Sequence, residues 1–216
     1  MKSIKQTLRM WALAAATALL GGQVQAAPTV TFDPASQDIS IGQQTSVNIV
    51  VSGLTQPADA LGGFSLLLNF NNTFLKGLTY EVDPGAKMGA YDANNDFSGT
   101  FSGGSLDLFY IANAMEDQDS LAALQGDGFV LATVHFEGIA NGLSPLTFGA
   151  IGSSAGVVLS FWNGDETIVN AARRGEICVA AQGATCNNNV PEPATLLLVS
   201  TALAGLVLRG RRAIPA

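Results

Sequence analysis

Few residues in this chain have the chemistry of a catalytic centre. A Ser-His-Asp hydrolase would have to use His135, the single histidine among 216 residues. His135 lies between Thr133 and Glu137 in a run where polar and apolar residues alternate, which predicts the polar face of a strand. We therefore expect no enzyme. A glycosidase-type pair of carboxylates is the alternative, because 16 acidic residues lie between 27 and 190.

Calcium binding is a second candidate chemistry. Asp92, Asn94 and Asp96 occupy alternate positions and Ser98 follows, as at the start of a Ca²⁺ loop. Phe97 stands where an EF-hand needs glycine, and no Glu occupies the twelfth position. We favour a polar loop built from Asx turns, with calcium as the alternative and no other cofactor.

The third candidate is a covalent link between Cys178 and Cys186, the only two cysteines, which seven residues separate. In an exported protein an even number of cysteines favours pairing. We expect a disulfide that fastens the last strand to the segment before the C-terminal region, with free thiols as the alternative.

Aromatic side chains that stack on sugars are the fourth candidate. Trp162 follows Phe161 and precedes a turn at Gly164, and Tyr91 is a second candidate ring. A Trp at the end of a strand more often packs on the core or its rim, so we favour packing and keep glycan binding as the alternative.

Residues 1–26 predict a secretory signal peptide. Lys2, Lys5 and Arg9 precede an apolar stretch, and a small residue, Ala26, stands at the predicted cleavage site. This order of zones is typical of a segment that signal peptidase removes, which makes Ala27 the new N-terminus.

Residues 187–216 predict a membrane anchor with a basic stop. Residues 194–208 carry no charge and precede Arg209, Arg211 and Arg212. A helix of 15 residues spans about 22 Å, short of the roughly 30 Å hydrocarbon core, so local thinning or snorkelling arginines must accommodate it. The arginines favour the cytoplasmic side, which places the preceding domain outside the inner membrane.

The same C-terminal region resembles a known sorting signal. Pro191, Glu192 and Pro193 precede the apolar segment and the arginine cluster, and this order is similar to that of PEP-CTERM proteins. The resemblance implies recognition of the Pro-Glu-Pro segment by exosortase, a membrane-embedded cysteine protease that removes the tail. It also implies a Gram-negative source and a product at the cell surface or outside the cell.

Charge is distributed unevenly along the chain. The whole chain has a net charge of −7, whereas residues 27–190 have 16 acidic against four basic side chains, a net charge of −12. A nucleic-acid partner is excluded, because no basic stripe is present to neutralise phosphates. The 48% apolar content also excludes a disordered chain.

Period-two alternation dominates residues 27–186. Val47, Ile49 and Val51 alternate with polar or small neighbours, and glycine and asparagine clusters end such runs. The pattern predicts an all-β, antiparallel sandwich with one short helix at 119–125, capped by Asp119 or Ser120. The main runs are Val30–Phe32, Val47–Val51, Phe64–Phe70, Leu75–Val82, Leu106–Tyr110, Val130–Phe136 (with Val130 inside and Leu131 outside), Leu146–Phe148, Val157–Phe161, Thr167–Val169 and Glu176–Ala180.

Residues 61–71, 128–136 and 175–179 resemble three strand segments of cohesins, in the same order. Asn71 and Asn72 stand where that family has an Asp-Pro turn. The resemblance implies a jelly-roll sandwich that binds a dockerin-type partner through one sheet face. We therefore expect an exported, non-enzymatic surface or matrix protein, active in adhesion or exopolysaccharide assembly. The alternatives are a carbohydrate-binding module, a cohesin-type protein-binding module and, less favoured, a hydrolase.

Overall fold

The computed structural model describes residues 27–90, 96–112, 116–151, 154–169, 174–181 and 186. The predicted signal peptide and the segment 187–216 lie outside the described residues. Within the described ranges, no helix has both the length and the apolar character needed to cross a membrane.

Fourteen short strands and a helix follow one another along the described chain. The order is β1 (Thr29–Asp33), β2 (Ser36–Ser40), β3 (Gln44–Ser52), β4 (Leu61–Asn69), β5 (Leu75–Val82), β6 (Asp96–Ser102), β7 (Ser105–Ile111), α1 (Gln118–Gln125), β8 (Gly128–Gly138), β9 (Gly142–Phe148), β10 (Ala150–Ile151), β11 (Ser154–Ala155), β12 (Val157–Phe161), β13 (Glu166–Val169) and β14 (Gly175–Ala180). The predicted antiparallel β-sandwich is confirmed.

Sheet 1 is entirely antiparallel, with the strand order β1-β3-β8-β5. Its inner face carries Val47 and Ile49 from β3 and Val134 and Phe136 from β8, all buried. These residues recur at every second position, so one side of each strand packs on the core while the other remains available to solvent.

Sheet 2 is larger and branches at β4. One edge of β4 pairs with β7, which in turn pairs with β6. β12 also pairs with β4 around Phe64, and β9 pairs with it at Leu68. β13 extends the β12 branch, and β14 with β2 extends the β9 branch, where β2 and β14 run parallel. The inner faces of both sheets form one hydrophobic core.

A bulge in β8 corrects one detail of the predicted core. Ile49 of β3 pairs with Ala132 and the next residue, Val50, pairs with Val130, so Leu131 is an extra residue in its strand. The extra residue shifts the alternation by one position. Leu131 is therefore buried and Val130 is only half-buried, whereas the uninterrupted pattern predicted the reverse.

Strand β6 corrects the predicted polar loop. Asp96 and Ser98 lie in this strand and pair with Ile111 and Phe109 of β7. Gly103 and Gly104, both with positive φ, connect the two strands. A two-residue Gly-Gly connection matches the twist of a hairpin, so this local turn can align a strand whose own sequence is polar.

The predicted helix is confirmed as α1, but its cap is different. Asp117 is the N-cap, and its side chain accepts hydrogen bonds from the Ser120 backbone N–H and hydroxyl, both at 2.9 Å. The prediction of Asp119 or Ser120 as the cap is wrong because the helix begins one residue earlier, at Gln118.

Candidate binding face

The outer face of sheet 2 carries apolar side chains that the core does not use. Residues paired directly across neighbouring strands lie on the same side of a sheet. Phe109 of β7 pairs with Ser65, which pairs with Val158, which pairs with Ile168. In the next row Ile111 pairs with Gly63, which pairs with Ser160. The term apolar face refers below to Phe109, Ile111, Val158, Ile168 and Trp162.

Two residues of the apolar face have large exposed fractions. Ile111 is 44% exposed and Ile168 is 45% exposed. Such side chains are normal when they are isolated, but here they lie on one sheet surface with other apolar groups. The arrangement is that of a surface suited to binding a partner.

A depression of about 610 Å³ lies in this face. Its floor includes Gly62 and Gly63 of β4. A Cβ atom at Gly63 would lie 2.9 Å from the Tyr110 carbonyl oxygen, and one at Gly62 would lie 3.5 Å from the Trp162 backbone. Gly63 therefore lets the backbone of β7 approach more closely than a residue with a Cβ would allow, whereas the contact at Gly62 is an ordinary one, and neither glycine places a side chain in the depression.

A tight turn between β12 and β13 positions Trp162 at the rim of the depression. The Trp162 backbone N–H donates to the Ala60 carbonyl at 2.8 Å, and the Gly164 N–H donates to the Phe161 carbonyl at 3.0 Å. The Asn163 side chain accepts from the Asp165 N–H at 2.9 Å. These bonds fix the backbone at Trp162, whose side chain is half-buried, so the turn places this residue at the edge of the depression.

Gln125 of α1 supports the β4 end of the depression. Its side-chain oxygen accepts from the Leu61 N–H at 2.7 Å, and its side-chain nitrogen donates to the Leu61 carbonyl at 2.8 Å. The buried amide satisfies both backbone groups where β4 begins, and it ties α1 to this strand.

The charged residues around the apolar face are acidic. Asp96, Asp107 and Glu166 are exposed and lie on the outer side of their strands, and the Ser160 hydroxyl donates to Glu166 at 3.3 Å. Among the described residues that line the depression, none is basic. The rim is thus complementary to a partner with basic groups.

The outer face of sheet 1 is chemically different. Asn48 of β3 pairs with Thr133 of β8, and the Thr133 hydroxyl donates to the Asn48 side chain at 2.8 Å. The term polar face refers below to Ser46, Asn48, Thr79, Glu81, Thr133, His135 and Glu137.

Comparisons with known proteins find a C-terminal sorting motif and structures of similar fold. Residues 189–212 match the PEP-CTERM protein-sorting motif. The sixth cohesin of scaffoldin B from Acetivibrio cellulolyticus, solved with the Cel5 dockerin, is 12% identical, with a TM-score of 0.53 over 72% of this chain and 100% of that chain. A type I cohesin–dockerin complex of OlpA from Clostridium thermocellum gives 9% identity and a TM-score of 0.54, over 72% and 100%.

A cohesin module from a family 33 glycoside hydrolase of Clostridium perfringens is also similar. It has 9% identity and a TM-score of 0.50, over 71% of this chain and 96% of that module. The chain has a cohesin-like fold. No curated protein sequence matches the chain. The resemblance to cohesins and the PEP-CTERM motif, both predicted from sequence, are confirmed.

The candidate sugar-binding and calcium residues are only partly within the described ranges. Trp162 lines the depression of the cohesin-like domain, and Tyr91 lies outside the described residues. Asp92 and Asn94 also lie outside them, and Asp96 is the exposed first residue of β6. Within the described ranges, no group of three or more His, Cys, Asp or Glu side chains is placed to hold a metal ion.

Cys178 and Cys186 form a disulfide, with their Cα atoms 5.7 Å apart. Cys178 belongs to β14, so the link fastens residue 186 to the last strand of the cohesin-like domain. Ala27 is the first described residue. Ala26, the Pro191–Pro193 segment and the arginine cluster at Arg209, Arg211 and Arg212 lie outside the described residues.

The residues considered for catalysis do not meet in the depression. His135 lies on the polar face, with its Nε2 4.0 Å from a Glu81 carboxylate oxygen and a side chain 35% exposed. Residues 152–156 have a Gly-x-Ser-x-Gly spacing, but Ser154 belongs to the short strand β11, and not to the strand-to-helix turn that a nucleophile elbow requires.

Among the described residues, two carboxyl groups have shifted pKa values, and both have local structural roles. Burial raises the pKa of Asp83, although N–H groups of Met88 and Lys87 donate to it at 2.7 Å. Hydrogen bonds from Ser120 lower the pKa of Asp117. Neither group lines the depression.

Sequence reasoning missed most of the apolar face. Phe109, Ile111 and Ile168 were not among the candidate binding residues. The signal that marks the first two is the continuous apolar run 108–111, where alternation alone would place polar residues at 109 and 111.

Proposed function

We propose that this chain is an exported, non-enzymatic protein-binding module that remains anchored in the inner membrane until exosortase removes its tail. The observation that carries the proposal is the apolar face, with its glycine-floored depression and acidic rim. The opposite face is polar, so the asymmetry gives the module one surface suited to a protein partner.

The chemistry of the apolar face indicates what the partner presents. Burying exposed isoleucine and aromatic side chains favours association with an apolar patch, and the carboxylates at the rim favour Lys or Arg around that patch. The cohesins of Acetivibrio cellulolyticus and Clostridium thermocellum were solved as complexes with dockerins. A sandwich of this architecture is therefore compatible with binding a folded protein domain.

The PEP-CTERM motif supports the location and the processing. In this proposal signal peptidase cleaves between Ala26 and Ala27, residues 194–208 hold the chain in the inner membrane, and exosortase recognises Pro191, Glu192 and Pro193. The released domain then acts at the cell surface or outside the cell, in adhesion or in the assembly of an exopolysaccharide matrix. No cofactor is part of this proposal.

A capture experiment with charge variants on the two faces tests the binding role. The chain and its Ile168→Asp and Thr79→Asp variants are each used to capture secreted and envelope proteins of the source bacterium. We expect one protein that the parent and Thr79→Asp retain in equal amounts and that Ile168→Asp loses. Retention of the same proteins by all three chains would contradict the proposal.

Glycan binding is the second candidate function, and the position of Trp162 at the rim of the depression favours it. The Trp162 indole, which lines the depression, is a ring on which a sugar can stack. Binding to a glycan array that disappears in Trp162→Ala and persists in Ile168→Asp would favour this function over protein binding.

A further inference from the structure

The end of the sandwich that carries the disulfide has its own apolar surface. The Gly42 N–H donates to the Gly138 carbonyl at 2.7 Å, and the Ile139 N–H donates to the Phe74 carbonyl at 2.8 Å. The Phe74 ring packs on the backbone of Gly142, and the Cys186 Sγ lies 3.7 Å from the Gly142 carbonyl oxygen. The term disulfide end refers below to Ile41, Phe74, Ile139, Gly142 and Cys186.

Two isoleucines project from turns at the disulfide end. Ile41 is 50% exposed and Ile139 is 43% exposed, which makes both of them large exposed apolar groups. Ile139 is linked to the disulfide through Phe74 and Gly142, and Ile41 precedes Gly42, which is bonded to Gly138 next to Ile139.

The disulfide end is opposite the end that carries Trp162. Strand β4 runs from Leu61 to Asn69. Its first end lies beside Trp162, because the Trp162 N–H donates to the carbonyl of Ala60, the residue before Leu61. Just beyond Asn69, the Asn71 N–H donates to the Ser144 hydroxyl of β9 at 2.8 Å. Nine residues of strand separate the two ends by roughly 30 Å. Most of the apolar face lies toward the Trp162 end, since Ile111 and Phe109 pair with the first half of β4.

The disulfide also shortens the connection between the domain and the sorting motif. Pro191 follows Cys186 by five residues, which span at most about 18 Å when fully extended. Measured from Ala180, the last residue of β14, the same motif is eleven residues away and could lie up to about 40 Å from the domain. The link therefore keeps the disulfide end close to the membrane surface while the tail is in place.

We propose that the disulfide end faces the membrane and that Ile41 and Ile139 enter its lipid interface while the C-terminal segment anchors the chain. This inference rests on the membrane attachment in the proposed function. Residues 27–190 carry a net charge of −12, so an anionic lipid surface repels most of the domain. The exposed isoleucines are the part that gains from contact with lipid. Lys76 lines the same groove as Ile139, and its charge is offset by Glu137, which pairs with it across the sheet.

This orientation gives the two ends of the domain different tasks. The disulfide end holds the module on the membrane before cleavage, while the Trp162 end and most of the apolar face point away from it. A partner can then be bound before the tail is removed.

Depth-dependent fluorescence quenching tests the orientation. The full chain, purified from cells that lack exosortase, is reconstituted into vesicles of phosphatidylcholine and phosphatidylglycerol with brominated acyl chains. Tryptophan is introduced as Ile139→Trp or, as the matched control, Ile168→Trp, and each spectrum is compared with that of the parent chain. We expect quenching at least about twofold stronger at 139 than at 168, because interfacial side chains lie about 5–10 Å into the headgroup boundary.

Removing the Cys178–Cys186 disulfide tests, in the same assay, whether it keeps the disulfide end close to the membrane. We expect the Cys178→Ser, Cys186→Ser double variant to lose at least half of the quenching at position 139. Retention of full quenching in this variant would overturn the role of the disulfide.

Flotation of the vesicles separates failure of the inference from failure of the proposed function. A chain that floats with the vesicles but shows equal quenching at both positions is attached, and the proposed orientation is then wrong. If the indole introduced by Ile139→Trp becomes buried as the chain concentration rises, without quenching by lipid, the disulfide end binds a second copy and the proposal is overturned. A chain that does not float would overturn membrane attachment itself.

Discussion

The outer faces of the two sheets differ, although their inner faces pack into one core. Sheet 1 presents the row Glu81, Thr133 and Asn48, whereas one row of sheet 2 presents Phe109, Val158 and Ile168 around the single polar residue Ser65. Phe109, Val158 and Ile168 are not among the buried residues of that core. Their clustering on one surface supports the proposal that this surface binds a partner.

The largest expected loss of stability comes from a substitution in the core that the two sheets share. Leu131→Ala should destabilise the domain by about 2–5 kcal/mol, because it leaves a cavity at a fully buried position. Val130→Ala, one residue away on the outer side, should cost less than about 1 kcal/mol. Urea unfolding measures both, and similar losses for the two variants would contradict the bulge.

A smaller loss of stability is expected from a substitution at Gln125, which holds the start of β4 below the apolar face. Gln125→Ala leaves the N–H and carbonyl of Leu61 without their buried partner, so we expect a loss of about 2–3 kcal/mol. Gln118→Ala is the control, since it removes one exposed bond to the Pro57 carbonyl and should cost about 1 kcal/mol or less. Equal unfolding midpoints for the two variants would show that Gln125 does not hold β4.

The smallest effect concerns Asp83, next to the end of β5 in sheet 1. Burial raises its pKa above 3.8, so the folded state binds the proton more tightly than the unfolded state. The contribution of this group to stability is therefore greatest at low pH and decreases as the pH rises through the raised pKa. Unfolding measured from pH 3.8 to neutrality should show that this decrease is absent in Asp83→Asn.

Asp117 provides the opposite control for the pH experiment. Hydrogen bonds from Ser120 lower its pKa, so its stabilising contribution is present above pH 3.8 and is lost as the pH falls below that value. Asp117→Asn should therefore flatten the acid limb of the stability curve. If Asp83→Asn and Asp117→Asn changed the stability curve at acid pH in the same way, the raised pKa of Asp83 and the lowered pKa of Asp117 would both be contradicted.

Much of the fold follows from local patterns that the sequence shows directly. The predicted bounds of β5 and β12 agree with the structure, because both runs are rich in apolar residues and are flanked by Asn, Asp, Pro or Gly. β2 was missed because Ile39 is its one buried residue and its parallel partner, β14, lies 140 residues away. The bulge at Leu131 was missed for a similar reason, since an extra residue is defined only by its pairing with β3.

The candidate binding face was less predictable than the fold. Trp162 was identified as a candidate because a tryptophan at a turn is conspicuous in sequence. Ile168 and Val158 were not, since alternation shows which residues share a side but not which exposed residues from distant strands lie together. That information comes from the order β13-β12-β4-β7, which long-range pairing determines.

Calorimetric titration of the captured partner against the two charge variants is the most direct test of the central claim. The account predicts that Ile168→Asp weakens binding at least tenfold, or about 1.4 kcal/mol, because the new carboxylate loses its water inside the interface. It predicts that Thr79→Asp, which adds the same charge to the polar face, leaves the affinity unchanged. Parent-like affinity for Ile168→Asp, or an equal loss in Thr79→Asp, would contradict the claim that the apolar face binds the partner.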